Sequence, residues 1–102
     1  MVALCAVIGL CVACQSPPPR KHPHEGILAL WRSYSALPDK RALAIAGDPD
    51  RQWVAGAAGG EATRRDAERQ ALRECQARRL DRRLRVPCLL YATGDKIVWK
   101  GW

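Results

Sequence analysis

The chain has 102 residues, with seventeen Lys and Arg against ten Asp and Glu, and therefore a formal net charge of +7. This length allows one domain of ordinary size at most. The only two histidines stand in a proline-rich segment, which leaves no Ser–His or Cys–His pair held by a fold. The composition therefore argues against a nucleophilic enzyme.

The chain opens with an apolar run. Residues 1–14 carry no charge and are almost wholly apolar. A membrane-spanning helix needs about 20 such residues, whereas the apolar core of a signal peptide needs about 7–15. The run therefore predicts a signal peptide over residues 1–13, although the usual basic residues before the apolar core are absent. A buried first helix of the fold is the alternative interpretation.

The apolar run ends in Leu-Cys-Val-Ala-Cys at residues 10–14, which resembles the lipobox of bacterial lipoprotein signals. The sequence departs from the usual pattern at Cys11, where leucine is commonest. The resemblance implies cleavage before Cys14 and lipidation of its thiol, with fatty acids such as palmitate. Two or three acyl chains anchor a protein stably, whereas one gives marginal binding. By the same resemblance, Gln15 after this cysteine implies that the protein is anchored in the outer membrane and faces the periplasm. A soluble secreted or periplasmic protein is the alternative.

Residues 14–25 contain three consecutive prolines, a composition typical of a semi-rigid spacer of about 3.1 Å per residue. We expect these residues to form a tether between the lipidated Cys14 and a domain over residues 26–102. His22 and His24 lie in the tether, but two imidazoles without a third ligand make a weak metal site. We therefore expect no metal and no cofactor.

The five cysteines stand at positions 5, 11, 14, 75 and 88. Cleavage before Cys14 removes two of them, and the lipid occupies the third. Cys75 and Cys88 remain as an even pair in an oxidising compartment, which predicts a disulfide bond between them with Cα atoms within about 7 Å. The alternative is a redox-active pair, which usually needs two cysteines close together at the start of a helix.

The first half of the domain predicts a helix and two strands. Residues 27–35 carry apolar side chains at near-helical spacing, and Pro38 ends the pattern. Residues 41–46 alternate and run into a turn signal at 47–50, and residues 52–58 form the next predicted strand. We expect an antiparallel hairpin. Its many Ala and Gly residues indicate a sheet face that another element covers closely.

A longer helix is predicted to begin after Thr63, whose hydroxyl can accept a hydrogen bond from the Asp66 backbone N–H. It should end or kink between Arg78 and Arg83, and Pro87 prevents it from going much further. Two last strands, residues 88–93 and 96–99, flank a tight turn at Gly94 and Asp95. The order strand–strand–helix–strand–strand, with a short N-terminal helix, predicts a small α+β domain with an antiparallel sheet of about four strands.

Several short motifs between residues 34 and 99 together resemble a small bacterial domain of unknown function. They are Leu37-Pro38 with Lys40, Trp53 with Gly56, Ala71-Leu72 with Cys75, Pro87-Cys88 with Tyr91-Ala92, and Val98-Trp99. The resemblance implies an α+β domain of secreted or envelope proteins, often a module within longer chains. It implies no agreed activity.

Residues 76–85 hold five arginines and one aspartate. A guanidinium group binds phosphate or carboxylate by paired hydrogen bonds, so this segment predicts an anion-binding surface. Its residues are Arg78, Arg79, Arg82, Arg83 and Arg85. In an envelope the available anions are phospholipid heads, lipopolysaccharide phosphates, peptidoglycan carboxylates or an acidic protein; nucleic acid is not expected there. The alternative is that these arginines only keep a helix face soluble.

These patterns predict a non-enzymatic cell-envelope lipoprotein that serves as a binding or structural accessory module. One alternative is a soluble secreted module that binds an anionic envelope polymer without any lipid. The other is a small redox or hydrolase accessory protein, which would need Cys75 and Cys88 as reactive thiols.

Overall fold

A computed structural model describes residues 23–101, and in it four antiparallel strands form one sheet with a helix on each face. The predicted signal peptide and the predicted lipidation site at Cys14 lie outside the described residues. In chain order, the elements are a 3-10 turn (Glu25–Ile27), α1 (Leu28–Ser35), β1 (Ala42–Gly47), β2 (Trp53–Ala58), α2 (Arg64–Arg82), β3 (Leu89–Thr93) and β4 (Lys96–Ile97). The strands lie in the order β2-β1-β3-β4. The predicted α+β class and the order of the elements are confirmed.

Small side chains form the sheet face that packs against α2. Three alanines of β1 are fully buried on this face, together with Ala71 and Cys75 of α2. The helix backbone comes so close to β2 that a Cβ atom on Gly56 would lie 2.3 Å from the Cys75 nitrogen and 2.4 Å from the Ala71 carbonyl oxygen. Position 56 requires glycine, because the backbone of α2 occupies the space that a side chain would need.

Large side chains form the opposite face, which packs against α1. Leu43 and Ile45 of β1 lie here in one buried cluster with Tyr34 of α1. A bulge in the β1–β3 ladder skips one residue of β3, so that Tyr91 and Ala92 both belong to this cluster. Successive residues of a regular strand alternate between faces, and a bulge breaks that alternation. The bulge thus places Tyr91 in this layer beside Ala92.

Four aromatic rings run through the α1 layer. The ring centroids of Tyr34 and Trp31 lie 5.3 Å apart, those of Trp31 and Tyr91 6.1 Å, and those of Tyr91 and Trp99 5.8 Å. These separations fall in the range of favourable aromatic pairs. The buried Tyr34 hydroxyl donates a hydrogen bond of 2.7 Å to the Gly94 carbonyl. Burial raises the pKa of Tyr34 to about 12, although the guanidinium beside its ring acts in the opposite direction.

The ends of α2 form as the sequence predicts. The Thr63 hydroxyl accepts a hydrogen bond of 3.0 Å from the Asp66 backbone N–H. The helix ends at Arg82, and Arg83 follows in the left-handed conformation with φ of 58°. The N–H of the next residue donates back to the Arg79 carbonyl at 2.9 Å, which closes the last turn of the helix.

The predicted disulfide bond joins Cys75 to Cys88, with Cα atoms 6.1 Å apart. Cys75 is fully buried in the middle of α2, and Cys88 directly precedes β3. On the chain-entropy model, a bond that closes a loop of this length stabilises the fold by ~3 kcal/mol. It fixes the irregular segment between α2 and β3 to the core.

β4 is shorter than the strand predicted over residues 96–99. It contains two residues, which pair with the end of β3 across the turn at residues 94–95. The N–H groups of Val98 and Trp99 then both donate to the Tyr91 carbonyl, at 2.8 and 3.1 Å. Two donors on one carbonyl end the regular spacing of an antiparallel ladder. The prediction of a longer last strand was therefore wrong in its length.

Candidate functional site

Two of the five arginines predicted to bind anions make bonds within the domain. Arg78 donates a hydrogen bond of 2.7 Å to the Ala55 carbonyl of β2 and lies 3.6 Å from the Glu74 carboxylate. Arg79 donates to the Leu84 carbonyl at 2.9 Å, just beyond the helix end. These bonds hold α2 to the sheet edge and order the chain that leaves it.

The other three arginines form what we call the basic run, Arg82, Arg83 and Arg85. All three are exposed. None of them forms an ion pair with another residue of the described chain. A guanidinium group that no internal carboxylate holds is available for paired hydrogen bonds with an external phosphate or carboxylate. Of the five predicted anion-binding arginines, these three are the ones whose side chains make no hydrogen bond or ion pair within the described chain.

An apolar hollow of about 600 Å³ adjoins the basic run along the chain. Val86 and Leu89, which line it, are 44% and 54% exposed. A contiguous group of exposed apolar side chains is a candidate interaction surface. The remaining lining residues are Leu84, Pro87 and Trp99, with Gly47, Asp48, Arg51 and Gln52 from the β1–β2 turn and its flanks. We call this surface the apolar hollow.

The apolar hollow was not predicted from the sequence, because its residues come from three separate parts of the chain. One signal was present in the sequence: residues 83–86 alternate between arginine and an apolar residue. The segment follows a helix and precedes a strand, and such a short alternation reads equally well as the start of that strand.

The described chain begins beside the β1–β2 turn, which lines the apolar hollow. The His24 backbone N–H donates to the Tyr91 hydroxyl at 3.2 Å, and its imidazole lies 3.6 Å from the Asp50 carboxylate. Gly26 packs so closely on the turn that a Cβ atom there would lie 2.8 Å from the Cβ of Pro49. The chain that comes from Cys14 therefore enters the domain at the β1–β2 turn, which also lines the apolar hollow.

The two cysteines of the domain differ in access. The Cys75 side chain is fully buried, whereas Cys88 is partly exposed and lines a hollow on the surface. Arg69 and Arg73 of α2 also line that hollow. Because the bond consumes both sulfur atoms, neither cysteine of the described domain carries a free thiol.

Among residues 23–101, no three His, Cys, Asp or Glu side chains form a group that could hold a metal ion. His24 has a local role, because its Nδ1 accepts a hydrogen bond of 2.9 Å from the Gly26 N–H and begins the 3-10 turn. His22, its neighbour in the predicted tether, lies outside the described residues. Of the helices that the structure describes, none is both long enough and apolar enough to cross a membrane.

No family model, curated protein or solved structure matches this chain. The functional interpretation therefore depends on three features of the molecule itself: the disulfide bond, the basic run and the apolar hollow.

Proposed function

We propose that this protein is a non-enzymatic lipoprotein of the cell envelope, anchored through lipid on Cys14, whose domain binds an anionic partner through the basic run. The observation that carries the proposal is the pairing of Cys75 with Cys88. These are the two cysteines that remain once cleavage and lipid have consumed the other three. Disulfide bonds persist in oxidising compartments and are rare in the cytosol, so the bond supports export.

The charges of the domain support a binding role. The basic run offers three exposed guanidinium groups within four residues, at the end of the helix where the internal bonds of Arg78 and Arg79 fix the backbone. In an envelope, phosphates of lipids and carboxylates of polymers are the anions that such groups meet. Exposed charges are screened by salt, so the interaction should weaken as ionic strength rises.

The experiment compares two variants of equal net charge, of which only one lacks the arginines of the basic run. One variant of the full chain replaces Arg82, Arg83 and Arg85 by glutamine. The control replaces three other exposed arginines of α2 by glutamine, Arg64, Arg65 and Arg73. Both variants lose the same charge, so any difference between them reports the location of the binding site.

Binding of polyphosphate and of polyglutamate is measured by calorimetry over a series of salt concentrations. We expect the basic-run variant to bind at least about tenfold more weakly, because a hydrogen bond to a charged group contributes about 1.5–3 kcal/mol. The control should stay close to the unmodified protein. An equal loss in both variants would mean that the affinity reflects net charge alone, and the proposed site would be wrong.

The redox alternative makes a different prediction about the cysteines. Thiol alkylation of the native protein without reductant should leave Cys75 and Cys88 unlabelled, because the bond between them is structural and Cys75 is fully buried. Labelling of either residue in the folded protein would favour a reactive pair over a structural bond.

A further inference from the structure

We infer that the domain docks on the anionic phospholipid surface that holds its own lipid, with the apolar hollow and the adjacent arginines facing the bilayer. This inference rests on the proposed function, because it assumes the lipid on Cys14. It goes further by naming both the docking surface and the partner.

The surface around the apolar hollow combines cationic and apolar side chains. Arg83 and Arg85 alternate along the chain with Leu84 and Val86, which line the apolar hollow. Arg51 lines the hollow from the β1–β2 turn. Segments that lie in a membrane interface combine the same two features, since apolar side chains enter the acyl boundary while cationic side chains bind lipid phosphates. A soluble polyanion would use the arginines and leave the apolar side chains in water.

The tether joins the domain at the end that carries the apolar hollow. His24 follows Cys14 by ten positions, so the connecting chain reaches at most about 35 Å. A domain of this size has a radius of gyration of about 12 Å, and its diameter is comparable to that reach. The connection enters at the β1–β2 turn, where the imidazole of His24 lies 3.6 Å from the Asp50 carboxylate. The tether therefore brings the end with the apolar hollow towards the lipid.

The balance of charge at this end also favours an anionic surface. Asp48 lines the hollow, and its carboxylate accepts a hydrogen bond of 2.8 Å from the Asp50 backbone N–H, so the three arginines at this end outnumber the two carboxylates of the turn. The carboxylate of Asp50 lies beside His24. Arg51, Arg83 and Arg85 are exposed and form no ion pair with any residue between 23 and 101.

The test is hydrogen–deuterium exchange of the protein purified from membranes, followed by mass spectrometry of its peptides. Exchange of the protein alone is the reference for three conditions. These are vesicles of phosphatidylcholine, vesicles of phosphatidylcholine and phosphatidylglycerol in equal parts, and dissolved polyglutamate. We expect exchange over residues 84–89 to slow with the anionic vesicles and to stay unchanged with the neutral vesicles. Exchange over residues 59–63, before α2, should not change in either.

Two variants and one control define the site. Arg83→Gln with Arg85→Gln should weaken docking by about thirtyfold, since each cation near an anionic leaflet contributes about fivefold. Val86→Asp should abolish the protection, because it places a carboxylate among the apolar side chains. Ala62→Asp adds the same charge at an exposed position before α2, about 28 Å from the other end of that helix, and should leave the protection intact.

Equal exchange over residues 84–89 in both kinds of vesicle would overturn the inference. Slowing with polyglutamate but not with anionic vesicles would also overturn it, in favour of a polymer or protein partner. The proposed function fails on a different measurement, the absence of lipid from Cys14, which the mass of the same purified protein reports. The two failures are therefore distinguishable.

Discussion

Replacement of Gly56 by alanine tests the packing of α2 against the sheet, because this position has no room for a methyl group. The added carbon would lie 2.3 Å from the backbone nitrogen of Cys75 and 2.4 Å from the carbonyl oxygen of Ala71. Both are backbone atoms of a helix and cannot rotate aside as a side chain does. Favourable contacts between carbon atoms lie at about 3.5–4.0 Å, so α2 has to move by about 1 Å or more.

Two effects of opposite sign determine how much Gly56→Ala changes the free energy of unfolding. Alanine is favoured over glycine inside a strand by roughly 0.5–1 kcal/mol. Forcing extra volume into a packed core costs about 1–3 kcal/mol and sometimes more. The clash with two backbone atoms places Gly56 at the upper end, so we expect the free energy of unfolding to fall by about 2–3 kcal/mol. In a domain of this size, each kcal/mol lowers the midpoint of thermal unfolding by about 4–8 °C.

Urea unfolding of the full-length protein, followed by circular dichroism, measures this change. Gly94→Ala is the matched control, because no heavy atom lies within 4 Å of the added carbon and the cost there comes from the left-handed backbone, with φ of +58°. That cost is about 1–2 kcal/mol. If Gly56→Ala proved as stable as the unmodified protein, α2 could not lie as close to β2 as described, and the reasoning would be refuted.

Three further changes test other parts of the fold by the same unfolding assay. Replacing both Cys75 and Cys88 by alanine should cost ~3 kcal/mol, and adding reductant to the double variant should change nothing more; a loss below about 1 kcal/mol would contradict a stabilising bond. Thr63→Ala should cost about 1 kcal/mol through the lost hydrogen bond to the Asp66 N–H, whereas the exposed Ser33→Ala should cost far less. Burial raises the pKa of Tyr34 from 10.0 to about 12, so its stabilising contribution is complete below pH 10 and is lost as the pH rises towards 12. Tyr34→Phe should make stability depend less on pH over that interval, and an unchanged dependence would show that Tyr34 is not its source.

The elements that local chemistry determines could be predicted from the sequence. Thr63 begins α2 because its hydroxyl satisfies a backbone N–H within the same turn. Gly94 and Asp95 form the last hairpin turn because Gly94 adopts a positive φ of 58° at no steric cost. The disulfide pairing followed from the count of cysteines, combined with the predicted fates of the first three.

The features that depend on distant contacts could not be predicted in the same way. The Ala- and Gly-rich strands indicated that another element packs closely on the sheet. Only the position of α2 shows that Gly56 is the residue at which a side chain has no room. The bulge at Tyr91 and the two donors on its carbonyl, which shorten β4, arise from the pairing of β3 with its neighbours. Likewise, Arg78 finds the Ala55 carbonyl across 23 positions of chain, so its charge alone suggested an external partner.

The most direct test of the account is the intact mass of the protein extracted from membranes without reductant. We expect a chain that begins at Cys14 and carries a diacylglyceryl group. Its mass should be lower than that of the reduced chain by two hydrogen atoms, which the bond between Cys75 and Cys88 removes. A chain that still begins at Met1, with both of these cysteines as free thiols, would contradict the account.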